Sequence, residues 1–152
     1  MEYTEVILNR AKKQKASAPK LIGDLVILNS PNILSTVRKR WLIGESVFGG
    51  KIGDYKPFTM PNGETYQQYK ISLNPSAKGY VDLTLSGALG DGLTIKKIVE
   101  TDFKVFSTDF KYNKIGDKYG FEEFGLSDLE WQEMSDEILI FALESMLKKT
   151  YE

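Results

Sequence analysis

The C-terminal quarter of the chain carries the pattern that most restricts its fold. Ser127 and Glu130 form a capping box, in which the serine hydroxyl accepts from the Glu130 N–H and the carboxylate reaches back. Acidic residues follow in the first turns and two lysines close the last turn, as the helix dipole favours. Apolar residues then recur at steps of three and four. The sequence predicts a long C-terminal helix whose apolar stripe is Trp131, Met134, Ile138, Phe141, Ala142 and Met146.

This helix has more apolar residues than one buried stripe requires. We expect the stripe itself to be buried, so that truncating Phe141 to alanine should cost about 3–5 kcal/mol of stability. The excess of apolar residues indicates that the helix is covered on more than one side. Its own domain covers one side, and a neighbouring chain is the candidate for the second. The additional apolar residues are Leu139, Ile140, Leu143 and Leu147.

Two internal segments carry further clear signals. Residues 31–43 are predicted as a helix, with Ser30 as its N-cap and Pro31 at the first helical position. Residues 93–100 and 103–108 alternate between apolar and polar side chains and predict a β-hairpin.

Other segments give weaker signals. Residues 3–15 predict a basic N-terminal helix that ends before Pro19, because proline disfavours helix at the residue before it. Residues 21–28 show roughly helical spacing, and residues 66–70 predict a short helix. Residues 81–85 alternate and predict a short strand or extended segment.

The length of 152 residues suits one domain. We predict a single α+β domain over residues 1–152, in which several helices pack on a small antiparallel β-hairpin and the last helix is long. Residues 1–20 are a candidate for a mobile or partner-docking helix within that domain.

The composition excludes several classes of chemistry. The chain has no Cys and no His, so disulfides, the usual zinc sites and Ser-His-Asp or Cys-His catalysis are excluded. Its net charge of −1 disfavours nucleic-acid binding by bulk electrostatics. No apolar run is long enough to span a membrane, and the acidic N-terminus lacks the basic start of a secretion signal. We therefore expect no enzyme activity, no cofactor, no metal and no membrane contact.

Catalysis by carboxylates alone and phosphate binding by a glycine loop stay as disfavoured alternatives. Asp82 with Asp91, or Glu122 with Glu123, could supply two carboxylates, but no spacing singles out either pair, and solvated surface is the favoured interpretation. The glycines at residues 87–92 match neither the dinucleotide-binding nor the Walker spacing, so a turn is favoured there.

Residues 44–64 form a long loop rich in glycine and proline that nevertheless carries large apolar side chains. Exposed apolar side chains gain nothing in water, so these residues need a surface to cover. A neighbouring subunit is our preferred partner, and intramolecular packing as an Ω-loop is the rival. The candidate interface residues are Phe48, Tyr55, Phe58, Tyr66 and Tyr69.

Basic residues are concentrated in two helical segments. Such patches can neutralise phosphates, but a solvated helix face is favoured because the net charge is near zero. A patch that faces DNA inside an assembly is the alternative. The candidate residues are Lys12, Lys13, Lys15 and Lys20 in the first segment, and Arg38, Lys39 and Arg40 in the second.

Three passages resemble the head–tail connector, neck and tail-completion proteins of tailed bacteriophages, a family of virion morphogenesis and minor tail proteins. The sequence Ile-Gly-Asp-Tyr at residues 52–55, followed by residues 66–70, is similar to the family's glycine-rich stretch and Tyr-and-Lys segment. Residues 81–89 resemble the signature before its β-hairpin, and residues 119–127 resemble the entry into its C-terminal helix.

The resemblance implies a ring-forming virion component that has no catalytic residues. Its partners would be other copies of itself and neighbouring connector or tail subunits, with DNA contact open but not favoured. It would be assembled in the host bacterial cytoplasm and reside in the virion. The alternative is a small non-catalytic protein-binding module encoded by a phage or mobile element.

Overall fold

The fold is described by a computed structural model that covers residues 3–74, 79–83 and 87–151. Six α-helices, one 3-10 helix and a two-stranded antiparallel sheet occur among these residues, which confirms the predicted α+β class and the long last helix. In chain order the elements are α1 (Tyr3–Leu28), α2 (Ser30–Leu42), α3 (Tyr66–Leu73), α4 (Ala88–Asp91), β1 (Leu93–Val99), β2 (Asp102–Ser107), α5 (Tyr112–Tyr119), the 3-10 helix (Phe121–Phe124) and α6 (Asp128–Tyr151).

Helix α1 runs through Pro19, so the predicted break before this residue is wrong. Pro19 removes one main-chain hydrogen bond, to the carbonyl of Lys15, which costs about 3 kcal/mol in a helix interior. Both residues are exposed, so water can bond that carbonyl. Helix α1 also packs along α6, and Val26 near its end is buried. Tertiary packing thus outweighs the local preference.

The turn between α1 and α2 depends on Asn29 rather than on Ser30. Asn29 is the N-cap residue of α2, and its carbonyl accepts from the N–H groups of Asn32 and Ile33 at 3.0 and 3.1 Å. Its side-chain amide donates to the carbonyl of Leu25 at 2.8 Å. The helix over residues 31–43 is confirmed within one residue, but the assignment of Ser30 as N-cap is wrong because Asn29 joins both helices.

Strands β1 and β2 form the predicted hairpin, with Leu93 opposite Ser107 and an irregularity between Lys97 and Val99. The strand option for residues 81–85 is not seen in its described part, since residues 81–83 lie in no strand and all three side chains are buried. Residues 84 and 85 lie outside the described residues.

The main core lies between α2, the 3-10 helix and β1. The rings of Trp41 and Phe124 are fully buried and meet edge to face, with centroids 5.3 Å apart. A second cluster of Val26, Ile33 and Ile138 joins α1, α2 and α6. These two clusters fix the long helices to the rest of the domain.

Helix α6 begins with the predicted capping box. The Ser127 N–H donates to the Glu130 carboxylate at 2.7 Å, and the Glu130 N–H donates to the Ser127 hydroxyl at 3.2 Å. No described helix is long and apolar enough to cross a lipid bilayer.

The predicted apolar stripe of α6 is only partly buried. Ile138 and Ala142 are buried, whereas Trp131 is 45% and Phe141 is 63% exposed, so the predicted burial of these two rings is wrong. With about 100° per residue, Ala142 lies about 40° to one side of Ile138 and Phe141 about 60° to the other. The buried face of α6 therefore lies towards Ala142, and Phe141 falls at its solvent edge.

Candidate functional site

The first half of the 44–64 loop is anchored to its own domain by Glu123. One oxygen of this buried carboxylate accepts from the Ser46 hydroxyl at 2.6 Å, and the other accepts from the Val47 N–H at 3.0 Å. The main-chain carbonyl of Glu123 accepts from the indole N–H of Trp41 at 2.8 Å. The loop is thus tied to the main core, and Glu123 is the residue that anchors it.

The middle of the loop also packs intramolecularly. Ile52 and Tyr55 lie against the main core, and the Tyr55 hydroxyl accepts from the Asp82 N–H at 3.2 Å. Burial raises the pKa of Tyr55 to about 12, and it also raises the pKa of Tyr66. The Tyr66 ring lies 5.5 Å from that of Tyr55 and 6.3 Å from that of Tyr69, measured between centroids. The Ω-loop rival therefore accounts for much of the loop.

Phe48 and Phe58 are the large apolar side chains of the loop that remain exposed, at 77% and 59%. They lie on different surfaces. Phe48 lines a shallow hollow beside Lys39 and Leu129, while Phe58 lines a groove with Tyr55 and Tyr66. The structure thus brings Tyr55, Phe58 and Tyr66 together at one groove and leaves Phe48 apart from it. Tyr69 contacts this group through Tyr66.

The groove beside Phe58 has a volume of about 650 Å³ and is here called the lysine groove. Helix α5 forms one wall and contributes Lys114 and Lys118, Lys111 precedes the helix as its N-cap residue, and Lys56 extends from the loop. The described lining residues include five lysines and two aspartates. One of the aspartates, Asp54, forms an ion pair with a lysine outside the groove. The groove is therefore a positively charged depression with aromatic walls.

The floor of the lysine groove holds an ion pair between α3 and the segment before α4. The Lys70 ammonium lies 2.6 Å from an Asp82 carboxylate oxygen, and the two side chains are only 3% and 1% exposed. Such a pair requires the two segments to meet in one arrangement, because either charge alone would be buried without compensation. The pair fixes the shape of the groove.

Helix α5 reaches its position because a glycine allows a close approach. Gly116 is buried, and a Cβ atom there would overlap the ring of Phe121. Tyr112 on the same helix packs against Phe124, with ring centroids 4.4 Å apart. These contacts hold one face of α5 to the core and leave Lys114 and Lys118 exposed.

The structure divides the predicted basic patch. Arg40 is buried, forms an ion pair with Glu130 and donates to the carbonyls of Glu123 and Gly125 at 2.9 and 2.8 Å. Arg38 donates to the carbonyl of Gly90 at 2.7 Å. Both arginines therefore hold the fold together. The exposed members are Lys39 on α2, and Lys12, Lys13, Lys15 and Lys20 on α1.

Helix α6 presents a second apolar surface on the side opposite its buried residues. Leu129, Ile140, Leu143 and Leu147 lie within about 40° of one direction around the helix, roughly opposite to Ile138. All four are more than half exposed. Acidic side chains accompany them, and this surface, here called the outer face of α6, comprises Leu129, Glu133, Asp136, Ile140, Leu143, Glu144 and Leu147.

The other carboxylate pair considered from the sequence is split between a buried position, Asp82, and an exposed one, Asp91. Asp82 forms an ion pair with Lys70, and Asp91 is exposed on α4. Among described residues, no group of three Asp or Glu side chains is placed to hold a metal ion.

No known protein family, curated protein or solved structure matches this chain. Sequence reasoning identified Phe58, Tyr55 and Tyr66 but missed the lysines of the groove. The available signal was the spacing of Lys111, Lys114 and Lys118, which places all three on one side of a helix.

Proposed function

We propose that this chain is a non-catalytic structural subunit that works by assembling with other protein chains. The observation that carries the proposal is the two-sided apolar character of α6. Ile138 and Ala142 are buried against the domain, while Ile140, Leu143 and Leu147 are exposed on the opposite side. Contiguous exposed apolar surface of this kind marks interaction sites in soluble proteins.

We further propose that the assembly is the neck, head–tail connector or tail-completion ring of a tailed bacteriophage. This part rests on the resemblance of residues 52–55 with 66–70, of residues 81–89 and of residues 119–127 to that family. A subunit of such a ring needs two different contact surfaces, one for each neighbour. The outer face of α6 and the lysine groove supply two surfaces of different character, which supports the proposal.

Two measurements test these statements separately. Sedimentation velocity over a range of protein concentrations tests assembly, and we expect species larger than a monomer to increase with concentration. Mass spectrometry and cryo-EM of particles from the source organism test the virion location, and we expect the chain at the neck or tail end in more than one copy. A chain that stays monomeric at every concentration and is missing from particles would contradict the proposal.

The second candidate function is a small binding module that docks a different protein, encoded by a phage or mobile element. The lysine groove favours it, because exposed aromatic residues lie there beside lysines, and aromatic residues are enriched at protein interfaces. This candidate predicts a stable monomer. The same sedimentation experiment therefore separates the two functions.

A further inference from the structure

The outer face of α6 and the lysine groove have opposite charges and matching apolar residues. No Lys or Arg occurs between residues 128 and 147, and Asp136 and Glu144 flank the exposed Ile140, Leu143 and Leu147. The groove has the reverse composition, since lysines surround its aromatic walls. Complementary charge between two surfaces speeds encounter and fixes their relative register.

We propose that the outer face of α6 from one copy of the chain docks into the lysine groove of the next copy. This inference rests on the proposed assembly function and names its interface. In the contact, Ile140, Leu143 and Leu147 cover Phe58 and Phe110, while Asp136 and Glu144 approach Lys114 and Lys118. The contact is head to tail, because each copy uses a helix face towards one neighbour and a groove towards the other.

The exposed aromatic residues at the groove supply the apolar half of the contact. Phe110 is 86% exposed and Phe58 is 59% exposed, and both line the groove. Aromatic anchors surrounded by a charged rim are typical of protein interfaces. A cavity of this volume holds a few side chains and not an entire helix, so the exposed residues at 140, 143 and 147 enter and the acidic residues stay at its rim.

The two surfaces lie on different elements of the same copy. Among the described residues, helix α6 contributes none to the lysine groove, which is formed by the loop, α3, α4 with the segment before it, and α5 with the segment before it. Helix α6 packs instead along α1. Both surfaces are therefore open to a second molecule.

Charge reversal tests the contact in the full-length protein. The groove variant carries Lys114→Glu and Lys118→Glu, and the helix variant carries Asp136→Lys and Glu144→Lys. Each is expected to weaken association on the order of tenfold or more when measured alone by sedimentation velocity. An equimolar mixture of the two variants is expected to regain association beyond the dimer. In the mixture, the acidic groove of the groove variant can bind the basic helix face of the helix variant, and the native groove of the helix variant can bind the native helix face of the groove variant.

The matched control carries Lys96→Glu and Lys104→Glu. These two exposed lysines face each other across β1 and β2, away from the lysine groove, and the change reverses two charges while keeping a like-charged pair. The control is expected to associate as the native chain does. The thermal unfolding midpoint of every variant is expected to match that of the native chain, since all six residues are exposed.

If charge reversal disturbs folding, the neutral changes Lys114→Gln with Lys118→Gln, and Asp136→Asn with Glu144→Gln, must still weaken association at low salt. Undiminished association of a folded groove variant alone, or a mixture that fails to recover, overturns this interface while leaving the assembly function standing. A native chain that is monomeric at all concentrations overturns both. If the groove binds only a different protein, the native chain is also expected to be monomeric at all concentrations.

Discussion

The Lys70 ammonium and the Asp82 carboxylate lie 2.6 Å apart and are almost completely shielded from water. Removing one partner leaves the other charge buried, which costs about 3–5 kcal/mol in measured cases. We therefore expect Asp82→Asn to lower the free energy of unfolding by about that amount. Urea unfolding at neutral pH measures it.

The double change Lys70→Met with Asp82→Leu provides the control for this ion pair. Replacing both charges by apolar residues of similar volume is often neutral, so the double variant should recover most of the lost stability. A loss of less than 1 kcal/mol in Asp82→Asn, measured against the same native baseline, would show that water reaches the pair.

Glu130 has two structural roles, because its carboxylate accepts from the Ser127 N–H and also pairs with buried Arg40. We expect Glu130→Ala to cost about 3 kcal/mol or more of unfolding free energy, since Arg40 loses its countercharge. Ser127→Ala removes only the helix cap and should cost about 1 kcal/mol. Equal losses in these two variants, measured by chemical unfolding, would rule out a stabilising role for the Arg40 pair.

Two phenylalanines should differ sharply when truncated. Phe124 is fully buried against Trp41, so Phe124→Ala should cost about 3–5 kcal/mol of unfolding free energy. Phe141 is largely exposed in the monomer, so Phe141→Ala should change it by less than about 1 kcal/mol at concentrations where the chain is monomeric. A large loss for Phe141→Ala under those conditions would mean that the domain itself buries this ring.

The raised pKa of Tyr55 predicts a loss of stability at alkaline pH. Burial raises this pKa from 10.0 to about 12 in the folded chain. Between these two values the unfolded chain loses the proton while the folded chain keeps it, so the free energy of unfolding falls as the pH rises from 10 to 12. Below pH 10 the contribution is fully present.

Tyr55→Phe isolates this contribution. We expect the unfolding free energy of the variant to fall less steeply between pH 10 and 11 than that of the native chain. In a titration of tyrosinate absorbance, the variant should lack the component that ionises at the highest pH. Identical slopes for both proteins would indicate that Tyr55 titrates as an ordinary tyrosine.

Patterns within one element predicted the fold class, the hairpin and the start of α6, because capping and periodicity are local. The error at Pro19 has a different origin. The rule against proline in a helix concerns one lost hydrogen bond and one local clash, whereas α1 is stabilised by α6, more than 100 residues later in the chain. The exposure of Phe141 could not be read from spacing either, because the direction of the buried face depends on where α1 packs.

The candidate site was only partly predictable for the same reason. Phe58, Tyr55 and Tyr66 stood out as apolar or aromatic residues in and beside a long loop, but Lys114 and Lys118 join them only after α5 is placed by the contact between Gly116 and Phe121. Arg40 shows the opposite error. The sequence indicated a surface charge, but Arg40 is buried because its guanidinium pairs with Glu130, which lies 90 residues later in the chain.

If the chain assembles through the outer face of α6, a change confined to that face must abolish assembly in sedimentation velocity. Ile140→Gln, Leu143→Gln and Leu147→Gln together make this face polar without touching the buried Ile138 or Ala142. We expect the native chain to form species larger than a monomer as its concentration rises, and the triple variant to stay monomeric with an unchanged thermal midpoint. A triple variant that assembles like the native chain, or that unfolds because these residues are needed by the monomer, would contradict the claim.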